Sequence, residues 1–363
     1  MKTNHVTDET DDTAINFERR RFLQTGLIGA TTLLAESLAN RAVAAALSPL
    51  EMTDLAPGSI PKKPLGKTGE QVSVIGLGGF HLGTVSSQKE IDQIVHEAID
   101  AGITFMDNAW EYNDGRSEKV LGQALEGRRD KVFLMTKVCT HGRDKKVAMR
   151  QLEDSLKRLK TDHLDLWQIH EVIYENDPDW HFKKGGVTEA LDQAKKQGKV
   201  RLVGFTGHKH PNIHLKMLSH DYPFDTVQMP LNCFDGTFRS FEQNVLPEVL
   251  RRGMGALGMK SLGGDGQPLL HGIVKPGEAL RYAMSLPVAT TISGIDSLSV
   301  LRQNLAIARG FKPMTADEMQ NLRQRCSQFA ADGHLELYKT TKHYDASVGR
   351  KQHGYPTMEE MPL

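Results

Sequence analysis

Asp107, Tyr112, Lys137 and His170 are the side chains whose types and spacing can do chemistry together. An apolar run, Ile103-Thr104-Phe105-Met106, ends on Asp107, and Tyr112 follows five residues later. Val132-Phe133-Leu134-Met135-Thr136 stops at Lys137, and Leu164-Asp165-Leu166-Trp167-Gln168-Ile169 stops at His170. A free tyrosine titrates near ~10 and is a poor proton donor at neutral pH. A neighbouring lysine ammonium favours the phenolate and makes the hydroxyl a better acid. An aspartate paired with that lysine keeps it oriented and charged, and a histidine beside them can donate to a substrate oxygen. The set is a proton-delivery device aimed at a carbonyl oxygen. It holds no strong nucleophile and no metal cage, so a redox step needs a cofactor.

Three strand-like segments each placing an ionisable group at the carboxyl end is the layout of a site on a parallel barrel. Polar groups on buried strands are costly unless paired, and strand ends are where they gather. The whole chain fits that scheme. After a Pro/Lys linker at Pro57–Pro64, Leu65–Val74 reads as a short hairpin with Gly66 and Gly69 in its turn. Strands are then expected at Val72–Leu77, Ile103–Asp107, Val132–Lys137, Leu164–His170, Arg201–Thr206, Thr226–Leu231, Ala256–Lys260 and Ala289–Ser293. Helices are expected near Lys89–Ala101, Ser117–Leu125 (Ser117 as N-cap), Lys145–Leu159, Val187–Gln197, Ile213–Ser219, Phe241–Arg252, Gly277–Ser285 and Ser299–Arg309. This alternation, over roughly 240 residues, predicts an α/β fold of the (β/α)8 TIM-barrel class in a single domain. The alternative, a doubly wound open sheet, is disfavoured by the even count and by the lack of GxGxxG after the first strand.

Composition bounds the function. Of 363 residues, 39% are hydrophobic and 25% charged, with Lys+Arg and Asp+Glu balanced at 45 each. That balance shows none of the basic surplus of a nucleic-acid binder. Cys139, Cys233 and Cys326 make no CxxC pair and no metal-spaced cluster, which argues against a disulfide framework.

The first residues follow different rules. Met1–Glu18 is polar and mostly acidic. Arg19-Arg20-Arg21-Phe22-Leu23 then leads into an apolar Gly/Ala/Thr stretch ending near Ala46, with Ala42-Val43-Ala44 and Ala44-Ala45-Ala46 as small-residue cleavage sites. This order predicts a secretory signal over residues 1–46, of the twin-arginine type because of the paired arginines, followed by a linker over 47–64. Glu36 and Asn40 interrupt the apolar stretch, so a stable membrane span is not expected. The expected location is periplasmic, with the twin-arginine export machinery as a partner. The alternative is an amphipathic helix on a cytoplasmic protein.

At this point the chain resembles the aldo-keto reductase superfamily, from about Leu65 to Arg309. The resemblance rests on DNAWEY with its Asp–Tyr spacing, MTK at the third strand and LWQIH at the fourth. VQMPLN (Val227–Asn232), SLGGDG (Ser261–Gly266) and a late Gln303-Asn304 extend it. It implies NAD(P)H-dependent reduction of a small aldehyde or ketone, without metal, flavin or iron–sulfur cluster. Tyr112 would be the general acid, Lys137 and Asp107 its tuning pair, and His170 the carbonyl orienter.

The resemblance also implies cofactor contacts. Gln228 matches the glutamine that holds the nicotinamide amide, and Thr206 matches the usual serine there. Gly207 stands where asparagine is usual, and Met259 where an aromatic usually stacks on the ring. Gly79, Phe80 and Asp107 fall beside the nicotinamide. Lys260, Ser261, Leu262, Gly263 and Gly264 fall at the pyrophosphate, where glycine backbone can approach closely. Gly294, Ile295, Gln303 and Asn304 fall at the adenosine end. Ser293-Gly294-Ile295 stands where many NADPH-preferring members have lysine and serine, and Val300 where an arginine grips the 2′-phosphate. The implied cofactor is NADPH, with NADH as the alternative.

Other features read as bland or sharp. His208-Lys209-His210 reads as a solvated loop or as a metal pair without a carboxylate. Cys139 shares strand parity with Lys137 and reads as a packed thiol or a redox sensor. Glu171–Gly186 is long enough for a substrate lid or a surface insertion. Within the C-terminal extension, 311–363, the His-, Lys- and Tyr-rich tail Ser327–Leu363 reads as a cover for the barrel mouth, as a segment packed on the outside or as disordered. Two other functions remain open: a nicotinamide-nucleotide sensor or regulatory subunit with little turnover, and a sugar-binding or sugar-isomerising barrel that needs no nicotinamide.

Overall fold

The computed structural model describes residues 58–139, 144–352, 354–357 and 360. The predicted signal over 1–46 and residues 47–57 of the expected linker lie outside the described residues; the end of that linker is corrected, since Lys62–Pro64 is a paired strand.

The chain enters through an antiparallel hairpin, β1 (Lys62–Pro64) and β2 (Gln71–Ser73). Gly66 and Gly69 turn it with positive φ of 55° and 84°, which glycine adopts without steric cost. Eight parallel strands follow: β3 (Ile75–Gly78), β4 (Phe105–Asp107), β5 (Phe133–Val138), β6 (Leu164–Ile169), β7 (Val200–Thr206), β8 (Thr226–Pro230), β9 (Gly255–Met259) and β10 (Thr290–Gly294). They hydrogen-bond in sequence order, and β10 closes on β3. The closed ring settles the fold as the expected barrel and rules out the open sheet.

Strand periodicity places the site. Residues two apart share a face. Phe105 and Asp107 therefore point the same way on β4, as do Phe133, Met135 and Lys137 on β5. Towards the amino-terminal end, Leu65, Val72, Phe105, Phe133, Met135, Leu166, Leu257, Ala289 and Ile292 form one buried cluster, so the hairpin plugs the barrel floor. The Phe105 and Phe133 rings stack there with centroids 5.2 Å apart. One layer up, the same alternation delivers Asp107 and Lys137 to the carboxyl end.

Helices α1 (Gln88–Asp100), α2 (Arg116–Ala124), α3 (Lys145–Leu159), α4 (Val187–Lys196), α5 (Pro211–Ser219), α6 (Leu246–Arg251), α7 (Pro276–Ser285) and α8 (Leu298–Arg309) alternate with the strands. On α3, Ala148, Leu152, Leu156 and Leu159 are buried at helical spacing, and the Asp144 side chain accepts from Val147 N at its N-terminus. Two expectations are corrected. Ser117 lies inside α2, buried, and accepts from Asn113 Nδ2 at 2.8 Å; Gly115, with φ 80°, is the N-cap. The helix expected over Phe241–Arg252 is broken into Phe241–Asn244 and α6, with Pro247 in the first turn of the second piece, where its missing N–H costs nothing.

Beyond the barrel, α9 (Ala316–Ser327) starts with a reciprocal Thr315–Glu318 cap. The tail after it folds into short turns of helix at Leu337–Thr340 and Ser347–Gln352. No helix among the described residues is long and apolar enough to cross a membrane.

Candidate active site

Lys137 is the hub of the site. Its side chain is 1% exposed, and its three ammonium protons have three acceptors. They go to Asp107 Oδ1, to the Asn108 carbonyl at 2.8 Å and to the Tyr112 hydroxyl oxygen at 3.2 Å. A buried ammonium is tolerable only when paired and fully hydrogen-bonded, and here it is. Asp107 is equally committed, since its Oδ2 accepts from Gln228 Nε2 at 2.9 Å. Four strands thus supply the site: Asp107 from the end of β4, Lys137 from β5, His170 just past β6, and Gln228 from the middle of β8.

Tyr112 does not sit on a strand and is held by its loop. Asn113, Asp114 and Gly115 all take positive φ, 51°, 54° and 80°. Strain of this kind persists only where neighbours over-determine it. Asn113 Nδ2 donates to the Phe80 carbonyl at 2.8 Å, and Arg158 donates to the Trp110 carbonyl at 2.8 Å. Arg116 donates to the carbonyls of Gly83 and Val85. The Tyr112 ring meets the edges or faces of Phe80 and His170, each with centroids 5.5 Å away.

The electrostatics differ from the expectation that Lys137 makes Tyr112 a stronger acid. Burial first, then the carboxylates Asp107, Glu111 and Glu171, raise the phenol well above its ordinary value. The hydroxyl therefore stays protonated across the working pH range. What Lys137 supplies is a cationic donor on the phenolic oxygen, which strengthens as a proton leaves.

His170 has a partner that the sequence reading passed over. Its Nδ1 is hydrogen-bonded to Glu111 Oε1, both side chains being 8% exposed. Glu111 lies inside the quoted DNAWEY motif, immediately before Tyr112, so a carboxylate at a buried loop position was the available signal.

The expected cofactor contacts divide into groups. Because Asp107 can only accept, the Gln228 amide must turn its nitrogen to it. This leaves Gln228 Oε1 buried without a partner among the described residues, a fitting acceptor for a carboxamide N–H. Thr206 is buried beside Met259, its hydroxyl 3.9 Å from the sulfur, a weak contact that a better acceptor can replace. Gly207 has no room for a side chain: a Cβ would lie 2.2 Å from the Val172 carbonyl oxygen. Gly79 is similarly packed, 2.6 Å from the Asp107 carbonyl oxygen, while Phe80 is 48% exposed at the rim.

Gly263 and Gly264 take φ of 79° and 92° in the loop after β9, with Ser261 buried and Leu262 half-buried at its start. Lys260, itself at φ 56°, makes no ion pair among the described residues. Its ammonium lies 4.4 Å and 5.2 Å from the ring centres of Tyr344 and Tyr338, and burial lowers its pKa to about 8. At the other end, Gly294 packs under the His81 ring and Ile295 is fully buried. Asn304 donates to Ser293 Oγ at 3.1 Å, tying α8 to β10, whereas Gln303 faces solvent. Gln303 and Asn304 therefore do not act as a side-by-side pair in this state.

Several bland or sharp readings resolve. The tail covers the carboxyl end of the barrel: Ala346 N donates to Glu171 Oε2 at 2.8 Å, and Lys209 Nζ pairs with Asp345 Oδ1 at 2.8 Å. Asn232 Nδ2 donates to the Tyr338 hydroxyl at 2.9 Å, and buried Lys339 bridges Asp235 and Glu336. His208 is buried instead of solvated, and burial pushes its pKa down to about 4. His210 instead accepts from Asn212 N at the start of α5, so the two histidines do not converge on a metal. Cys139 is a buried thiol outside any disulfide. The 171–186 segment carries a helical turn, Asp177–Phe182, whose Trp180 meets Tyr355 with ring centroids 5.4 Å apart.

Comparison with known proteins agrees with this geometry. The profile of the Aldo/keto reductase family matches residues 74–267. The "Uncharacterized oxidoreductase YqkF" of Bacillus subtilis is 26% identical, over 74% of this chain and 97% of its own. The "Methylglyoxal reductase YeaE" of Escherichia coli is 36% identical over 133 residues, 36% of this chain and 44% of its own. Among solved structures, aldo-keto reductase AKR11C1 from Bacillus halodurans (holo form) superposes with a TM-score of 0.63 at 25% identity, covering 76% of this chain and 99% of that one. The chain belongs to the aldo/keto reductase family, and it is an NAD(P)H-dependent oxidoreductase that reduces a carbonyl to an alcohol.

Proposed function

We propose that Tyr112, Lys137, Asp107 and His170 carry the reaction on a small aldehyde or ketone. The observation that carries this is the Lys137 ammonium, whose three protons go to Asp107, the Asn108 carbonyl and the Tyr112 hydroxyl. Reduced nicotinamide, when bound, supplies the hydride. Tyr112 delivers the proton to the carbonyl oxygen, and Lys137 stabilises the phenolate left behind. Asp107 holds Lys137 in place, and His170 orients the carbonyl. Gln228 and Thr206 would hold the carboxamide end of the cofactor. Gly263, Gly264 and Lys260 would hold its anionic middle, and Gly294, Ile295 and Asn304 its adenosine end. The dinucleotide proposed is NADPH, with NADH as the alternative. The names of the relatives support small carbonyl compounds as the substrate class, methylglyoxal being the substrate in one printed name.

The twin-arginine reading of Arg19-Arg20 belongs to the same proposal: export in the folded state, with the cofactor carried inside, to the periplasm. Replacing both arginines by lysine should leave the protein in the cytoplasm. Equal export of that variant would remove the localisation.

The function is tested by fluorescence titration with NADPH and with NADH, and by turnover of a small aldehyde panel with wild type and Tyr112→Phe. Tight binding with turnover that collapses in the variant is expected. Binding with no wild-type turnover would move the reading to a nucleotide sensor, and a fully active Tyr112→Phe would refute the assignment of the acid.

A further inference from the structure

We infer that Glu111 is a positioning residue that fixes the proton of His170 on Nδ1 and makes the pair a buried ion pair whenever His170 donates to a substrate. This rests on the proposed role of His170 as carbonyl orienter.

The argument starts from burial. Glu111 is a carboxylate with an 8% exposed side chain in a loop held by backbone contacts on either side. A carboxylate in such a place is costly unless paired. Its Oε1 is paired with His170 Nδ1. Oε2 is buried with no protein partner among the described residues, so the buried charge leans on the single contact to His170.

What Glu111 does follows from imidazole chemistry. A carboxylate only accepts, so the proton in the contact belongs to His170 Nδ1. In the singly protonated ring, Nε2 is then a lone pair, able to accept from an alcohol but unable to donate to a carbonyl oxygen. To donate from Nε2 the ring must carry both protons and become a cation. The anion that neutralises it is Glu111. Among the described residues, the other charged and titratable groups on the surrounding elements are Tyr112 on the same loop, Lys137 with Asp107 on β5 and β4, and Glu171 next in the chain. Lys137 is already balanced by Asp107, and Glu171 accepts from Ala346 N. Glu111 is therefore the carboxylate assigned to His170, and it gives the ring one tautomer and one orientation.

The test combines a spectroscopic and a kinetic readout on the full-length protein. Nitrogen NMR of histidine-labelled wild type should show His170 protonated at Nδ1, and Glu111→Leu should lose that signature. This arm needs no turnover, so it stands apart from the failure of the reductase assignment. In kinetics, Glu111→Gln should lower kcat/KM for carbonyl reduction about tenfold or more, with the NADPH Kd and thermal midpoint little changed. Glu111→Asp should recover part of the loss. In a His170→Ala background, Glu111→Gln should cost nothing further, because the two act through one contact. Wild-type His170 protonated only on Nε2 would overturn the inference. So would a Glu111→Gln loss that persists in full in the His170→Ala background.

Discussion

Replacing Lys137 by methionine separates what its ammonium does for the fold from what it does for the reaction. The unbranched stem is kept up to its terminal atom, and three hydrogen bonds are lost: to Asp107, to the Asn108 carbonyl and to the Tyr112 oxygen. Asp107 is 3% exposed, and with Lys137 gone its only remaining polar side-chain partner among the described residues is Gln228. Removing one partner of a buried pair costs about 3–5 kcal/mol, because the other charge is stranded. For a chain of this size the entropy of unfolding is roughly 0.6 kcal/mol per degree, so Tm should fall by about 5–8 °C. The catalytic loss has a different origin. One charge-assisted hydrogen bond of about 2–3 kcal/mol, made where negative charge develops, corresponds to roughly 30- to 150-fold in kcat. The double variant Asp107→Asn/Lys137→Met removes the stranded charge, so it should recover about half of the lost Tm without recovering kcat. Differential scanning fluorimetry and steady-state turnover on one aldehyde measure both. A double variant as unstable as Lys137→Met would refute the stranded-charge argument. A Lys137→Met enzyme within a few-fold of wild-type kcat would refute the role assigned to the ammonium.

Three further outcomes follow from the described geometry. Lys63 is fully buried, donates to the Met284 carbonyl at 2.5 Å, and has its pKa lowered by burial to about 7. The unfolded lysine keeps its proton to about 10 while the folded one has lost it, so stability rises between those pH values, by at most about 1.4 kcal/mol per pH unit; Lys63→Met should flatten that rise in pH-dependent melting curves. Lys260 is charged below about pH 8, so nucleotide affinity should weaken between pH 7 and 9 in the wild type and stay flat, and several-fold weaker at pH 7, in Lys260→Met titrations. Gly264→Val should destabilise by about 1–3 kcal/mol and weaken nucleotide binding, since its φ is 92° and a Cβ would meet the Tyr344 hydroxyl at 3.1 Å.

The barrel was legible in the sequence because its strands are buried apolar runs that end on polar groups, and its helices carry an apolar stripe. Boundaries such as Lys145–Leu159 follow directly from that stripe. The pairing of Asp107 with Lys137 was legible too, since both stand where an apolar strand run ends and strand ends gather. What escaped the sequence depends on contacts between distant segments. Glu111 looks like an ordinary loop acid until β6 brings His170 to it across 59 positions. The acidity of Tyr112 was misjudged because one ammonium was weighed without the burial and the three carboxylates around the ring. The tail lacks periodicity because it packs through isolated anchors, Tyr338, Lys339 and Asp345, and not through a helical face.

Those anchors set an order of assembly. The ring of strands is complete once β10 exists, but the roof over the glycine loop waits for residues some forty to fifty positions further on. Ala346 reaches back 175 positions to Glu171, and Glu336 and Tyr338 reach back 104 and 106 to Asn232. Contacts of such span form late, since chain entropy must be spent before they repay it. During synthesis the barrel can therefore close as an open cup, with Asp107, Lys137 and Gln228 already in register and its rim bare. The roof is added last, and its anchors run to rim loops and not to the strand ladder, so the strands can pair without it. The rim proposed to hold the dinucleotide and the barrel proposed to hold the chemistry are in this sense separable in time, although one chain makes both.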